Sequence, residues 1–134
     1  MFAGDLSGLP AIAAALEALP GTARGVVHLE IADALDIICL HTDASIEIQW
    51  LVNPDPDDAG FLARAVDPAD WPSDARAPGG TQVFAHGERE SIKALRGVLR
   101  GVPRQRLSIS GYWARGRTED VFQAEKREPI GRID

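Results

Sequence analysis

The chain has 134 residues, 45% of them hydrophobic and 25% charged, with a formal net charge of −6. This length suits one domain that buries a core without disulfides, and the composition excludes a disordered chain. The acidic balance argues against general nucleic-acid binding, no apolar run reaches the roughly 18 residues of a membrane span, and one cysteine, Cys39, leaves neither an intrachain disulfide nor a cysteine-rich zinc site.

Met1–Gly4 reads as a short strand end, and Leu9, Ile12, Ala13, Leu16 and Leu19 then recur at helical spacing. Pro10 suits the first turn of that helix and Pro20-Gly21 stops it. Val27, Leu29 and Ile31 alternate with His28 and Glu30 as a strand does. Residues 32–44 are ambiguous. Ile46, Ile48, Trp50 and Val52 form the clearest strand, which Asn53-Pro54-Asp55-Pro56 breaks. A short helix is predicted from Asp58 to Val66 with Phe61, Leu62 and Ala65 inward, followed by a loop over 67–80.

Gln82–Ala85 reads as a buried strand, His86-Gly87-Glu88 as the strand-to-helix turn, and Glu88 to Arg100 as a helix capped by Gly101. Ile92, Leu95 and Leu99 line one face of this helix, with Arg89, Lys93, Arg96 and Arg100 mostly outside. Leu107 and Ile109 begin a last strand ending in Gly111-Tyr112-Trp113, and residues 117–128 suit a charged terminal helix around Val121 and Phe122. Alternating strands and helices predict an α/β domain: a parallel sheet of about five strands with helices on both faces. Such sheets bind ligands beyond the carboxyl ends of their strands, here Gly4-Asp5, Ala32-Asp33, Asn53, His86–Glu88 and Tyr112-Trp113.

The loop Gly4-Asp5-Leu6-Ser7-Gly8 enters a helix, where free amides favour an anion. Ser7 can donate to a phosphate, although Asp5 or Ser7 serves equally well as a helix cap, the role that spacing alone favours. Glu88 is either a cap or a polar group facing a ligand. Tyr112 and Trp113 either close the edge of the core or stack on a planar ring. The three histidines lack metal-ligand spacing, and Cys39, without a basic neighbour, is expected to be a buried small hydrophobe. Charge is uneven: residues 1–88 hold 3 basic and 14 acidic side chains, residues 89–134 hold 11 and 6. The basic third suits either a small anion or an acidic partner, or is a solvated surface.

Three segments in this order and spacing, Gly4-Asp5-Leu6-Ser7-Gly8-Leu9-Pro10-Ala11-Ile12, Ala85-His86-Gly87-Glu88 and Ser110-Gly111-Tyr112-Trp113-Ala114-Arg115-Gly116, resemble the C-terminal domain of siderophore-interacting proteins. These are flavin-dependent ferric-siderophore reductases related to ferredoxin–NADP reductases. The tail Glu119-Asp120 through Glu125-Lys126-Arg127-Glu128 is similar too. The resemblance implies an NADPH- or NADH-binding domain over residues 1–134, with the family's FAD-binding barrel absent. It implies an oxidoreductase domain incomplete without a flavin domain, supplying electrons that release iron from a siderophore in the cytoplasm, with no membrane insertion.

It further implies that Asp5, Ser7 and Gly8 meet cofactor phosphates, that Gly87 and Glu88 flank the nicotinamide, and that Tyr112 and Trp113 lie toward the flavin. Arg115, Arg117, Lys126 and Arg127 would attract a ferric siderophore, and a flavin-domain partner or a homodimer would cover the aromatic edge. Where the family usually has an acidic residue and a threonine after the aspartate, this chain has Leu6 and Ser7, and Trp50-Leu51-Val52-Asn53 lacks the basic residue that often follows that strand. Ala114 stands where the family is usually basic. A non-catalytic interaction module that keeps the fold is the alternative reading.

Overall fold

A computed structural model describes residues 1–67 and 80–133; the loop expected over 67–80 therefore lies almost wholly outside the described residues. Five strands, β1 (Phe2–Gly4), β2 (Arg24–Ile31), β3 (Ser45–Val52), β4 (Val83–Glu88) and β5 (Leu107–Trp113), form one all-parallel sheet in the order β3-β2-β1-β4-β5. The short β1 is central: Phe2 lies opposite Val27 on one side and Phe84 on the other. The chain builds outward from β1 to β3, then crosses back to place β4 on the other side. That reversal puts the carboxyl ends of β1 and β4 side by side, the usual place for a ligand in an open parallel sheet.

Each face of the sheet has its own core. Helix α1 (Leu9–Ala18) lays Ile12 and Leu16 on Val27 and Leu29, with Phe2, Ile46, Ile48 and Trp50 packed around them. Helices α2 (Phe61–Ala65) and α3 (Arg89–Val98) cover the opposite face, where Leu62, Val66, Ile92, Leu95 and Leu99 meet Ala3, Val83 and Ala85. Double coverage explains why the alternation predicted for β2 fails as a guide to exposure: His28, between Val27 and Leu29, is buried as they are.

Several expectations are corrected. The strand expected at 82–85 continues through His86, Gly87 and Glu88, because β1 and β5 extend its hydrogen-bonded ladder on both sides. Arg89 lies inside rather than outside, buried between Glu90 and Glu125, which supply the counter-charges that a buried guanidinium requires. Cys39 is exposed, not buried, since residues 37–44 form neither helix nor strand and pack only Leu40 against the core. The helix expected from Asp58 to Val66 is the single span Phe61–Ala65, and Ala63 is buried along with Leu62. The terminal helix is α4 (Glu119–Glu125), which buries Phe122 and leaves Val121 exposed. Gly101 ends a 3-10 turn, Leu99–Gly101, that tightens the end of α3, in place of a left-handed cap.

The turn from β1 into α1 depends on glycine for clearance. A Cβ at Gly8 would lie 2.5 Å from the carbonyl oxygen of His86, and Gly4 meets the same atom. Because both partners are backbone, neither yields easily. Gly8→Ala is expected to destabilise the fold by about 1–3 kcal/mol, the usual cost of overpacking a tight interior, read as a lower urea midpoint with an unchanged slope.

Candidate functional site

Asp5 follows directly on β1 and joins three elements. Its Oδ1 accepts the Ser7 backbone N–H at 2.9 Å and the Ser7 hydroxyl; its Oδ2 accepts the Glu88 N–H at 2.9 Å and the Trp113 indole N–H at 2.8 Å. The ends of β1, β4 and β5 are thereby tied through one carboxylate. Gly87 makes room for it, since a Cβ there would stand 3.0 Å from Asp5 Cγ and Oδ2.

Glu88 is 2% exposed and points inward. Its carboxylate caps α3 by accepting the Ser91 N–H at 2.9 Å, accepts the Arg115 N–H at 3.2 Å, and forms an ion pair with the Arg115 guanidinium. Arg115 also donates to the Ser91 hydroxyl at 3.2 Å and to the Pro56 carbonyl, and lies 5.9 Å from the centre of the Trp113 ring. At the end of β2, Glu30 accepts the Asn53 side-chain amide at 2.7 Å, while Asn53 Oδ1 accepts the Asp55 N–H and orders the loop after β3. Burial raises the Glu30 carboxyl above its usual range, and the Asn53 hydrogen bond partly offsets this.

These groups surround a cleft of about 540 Å³ at the sheet's carboxyl edge. Asp5, Ser7, Glu30 and Asn53 supply its polar groups, Leu6, Ile31, Ala32, Pro54 and Pro56 its apolar walls, and Trp113 and Arg115 one side. A mostly apolar concavity with a few convergent polar groups is how proteins hold small organic ligands.

The residues singled out from sequence divide accordingly. Asp5, Ser7, Trp113 and Arg115 line the cleft. Gly8 and Gly87 serve its backbone geometry, and Glu88 braces it from behind. Tyr112 turns away from Trp113 to lie edge-on to His86 at 4.8 Å, and His86 stacks on Phe84 at 3.9 Å. Arg117 pairs with Glu125 at 2.7 Å, and Lys126 stands 5.1 Å from the Phe122 ring, so both belong to the α4 surface, next to the exposed Arg127. Arg89 and Arg117 together hold the Glu125 carboxyl below its usual range. Glu30 was missed as a site residue. Its signal in the sequence is a carboxylate one residue before the end of a strand, which only the pairing of β2 with β3 brings to Asn53.

His28 and His86 each bury an Nδ1 that has no hydrogen-bond partner, and burial lowers both imidazoles from their ordinary pKa of 6.5. With a depressed folded-state pKa, the unfolded chain binds more protons below that ordinary value. The stabilisation is thus present above pH 6.5 and is lost as pH falls from there toward the folded-state pKa values. Urea midpoints are expected to fall steadily from pH 7 to pH 5, and His28→Gln with His86→Phe should flatten that slope.

The sequence family that matches this chain is described as siderophore-interacting protein, over residues 1–116. This span contains every residue lining the cleft. The chain belongs to the siderophore-interacting protein family. It is 41% identical to an uncharacterised protein of Mycobacterium tuberculosis, covering 96% of this chain and 48% of the relative. It is 36% identical to ferric vibriobactin reductase ViuB of Vibrio cholerae, covering 94% and 46% respectively. The chain thus spans about half the length of the curated relatives it matches.

Among solved structures, the siderophore-interacting protein SipS of Aeromonas hydrophila superposes with a TM-score of 0.80 at 25% identity, covering 98% of this chain and 52% of that one. A siderophore utilization protein from T. fusca gives 0.75 at 33% identity, covering 87% and 45%. The five-stranded parallel sheet is therefore the family's fold. Helix α4 lies outside the matched span, joined to α3 through the Arg89–Glu125 pair. No helix among the described residues is long and apolar enough to cross a membrane.

Proposed function

We propose that this chain is the nicotinamide-dinucleotide-binding part of a flavin-dependent ferric-siderophore reductase, acting in the cytoplasm to release siderophore-bound iron. The observation that carries this reading is the position of the cleft. It lies at the carboxyl edge of the sheet beside the reversal of strand order and is lined by residues of the span shared with the siderophore-interacting family. The residues present suit such a cofactor: apolar walls, a hydroxyl at Ser7 and an indole face at Trp113 that is 40% exposed. A bound reduced nicotinamide would supply hydride to FAD held by a separate flavin domain, from which electrons pass to the ferric siderophore.

The chain's own part is to bind and orient. Asp5 fixes the Trp113 ring, so that the indole bounds the cleft at one angle. Glu88 holds Arg115 as a near-neutral pair at its side. Tyr112 and Trp113, at 37% and 40% exposure, offer an aromatic edge for the flavin domain. Arg117, paired with Glu125 just before α4, and the exposed Lys126 and Arg127 just after it would help draw in an anionic ferric siderophore.

One observation favours the alternative, a non-catalytic interaction module. The backbone amides of Ser7 and Glu88, which would otherwise face a phosphate, already donate to Asp5. Titration of the chain with NADH and NADPH separates the two readings. The redox reading expects saturable binding, no yellow flavin in the purified chain, and bleaching of the flavin absorbance when a family flavin domain and either dinucleotide are added. Absence of binding to both dinucleotides would leave the interaction module.

A further inference from the structure

Resting on the dinucleotide reading, we propose that the Glu30–Asn53 pair receives the 2′,3′-diol of the adenosine ribose, and that it makes this chain select NADH over NADPH. Glu30 stands at the carboxyl end of β2, next to the central strand, 22 residues after Gly8 of the loop into α1. It borders the same cleft as that loop. In open parallel sheets a carboxylate placed so can accept a ribose hydroxyl.

The local chemistry sharpens the argument. An ionised carboxylate only accepts hydrogen bonds, and it has two oxygens. One of them, Oε1, takes the Asn53 amide, which fixes the orientation of Glu30. Among the described residues no donor engages the other oxygen, and a vicinal diol supplies the O–H groups it lacks. Pro54, Ala32 and Ile31 lie beside the pair and offer apolar surface to an adenine ring.

The same geometry excludes a 2′-phosphate. Such a group replaces the donating hydroxyl by acceptor oxygens and brings up to two negative charges against Glu30 and Asp5, both on the cleft wall. Among the described residues Arg115 is the cation lining the cleft, and it is already paired with Glu88 and directed at Ser91 and the Pro56 carbonyl. Neither Asn53 nor its neighbours in the loop Pro54–Asp58 carry positive charge.

Calorimetric titration of the full chain with NADH and with NADPH tests this, together with Glu30→Gln and Ala32→Arg. Glu30→Gln keeps an acceptor for Asn53 and so keeps the loop, and Ala32 is an exposed residue on the cleft wall; an unchanged melting temperature confirms that both fold. The unmodified chain should bind NADH at least tenfold more tightly than NADPH. Both variants should shrink that ratio by at least tenfold, Glu30→Gln by weakening NADH and Ala32→Arg by strengthening NADPH. Equal or tighter binding of NADPH by the unmodified chain, or a ratio that neither variant moves, overturns the placement of the ribose while the dinucleotide reading stands. Binding of neither dinucleotide overturns that reading, and this inference with it.

Discussion

Glu88→Ala is expected to cost this protein about 3–5 kcal/mol, the usual penalty for removing one partner of a buried ion pair. For a domain of this size that corresponds to a drop in melting temperature on the order of 10–20 °C. Glu88 is almost fully inaccessible, and three donors converge on it: the Ser91 amide, the Arg115 amide and the Arg115 guanidinium. Truncation uncaps α3 at the point where the helix leaves the central sheet, and it strands a guanidinium that is only 23% exposed. Glu88→Gln retains an acceptor and should lose clearly less. Combining it with Arg115→Met removes the orphaned charge and should recover part of the loss, because a buried pair replaced as a unit is often near neutral. Thermal and urea unfolding of the three variants measures each effect. A loss under about 1 kcal/mol for Glu88→Ala would mean that the pair does not form in solution, since such a value is typical of exposed pairs.

Asp5→Ala should affect stability less and ligand binding more. Four donors lose their acceptor: the Ser7 amide and hydroxyl, the Glu88 amide and the Trp113 indole. Because Ser7 and Trp113 are partly solvated, water can replace much of what is lost. About 2–3 kcal/mol is expected, in keeping with a few charge-assisted hydrogen bonds partly compensated in this way. The consequence for the cleft is larger. Trp113 has no other side-chain hydrogen bond among the described residues, and the loop from Leu6 to Gly8 loses the Asx turn that shapes it. Dinucleotide affinity should fall at least tenfold, about 1.4 kcal/mol, and the Trp113 indole N–H resonance should move toward its solvent-exposed position. An unchanged affinity alongside a lower melting temperature would reduce Asp5 to a latch between strands.

Much of the architecture can be read from local pattern. Ile12 and Leu16 at helical spacing, the alternation through Ile48 and Trp50, and Ile92, Leu95 and Leu99 on one helix face are all apolar residues whose period states which side must be buried. Pro10 and Pro20 mark their helix because proline suits a first turn and ends a later one. Charged residues were harder. Arg89 looks like any exposed basic residue at a helix start, and its burial depends on Glu125, 36 positions away. Cys39 looks apolar, yet its segment has no partner strand to place it under.

The candidate site shows the same division. The glycines of the first loop, the breaker after Val52 and the aromatic pair at 112–113 mark strand ends by their own chemistry, so the sequence determined that a parallel α/β sheet forms and which residues stand at its carboxyl edge. It could not determine the roles those residues take. Asp5 joins Glu88 and Trp113 across 83 and 108 positions, and Glu30 meets Asn53 across 23. Hydrogen bonds act over about 3 Å, whereas periodicity reports only which face a residue occupies. The strand order, which sets β1 between β2 and β4 and turns their ends toward one cleft, is a property of the assembled sheet. Only that tertiary arrangement decided that Glu88 turns inward to brace the site and that Glu30 faces the space where a ligand would lie.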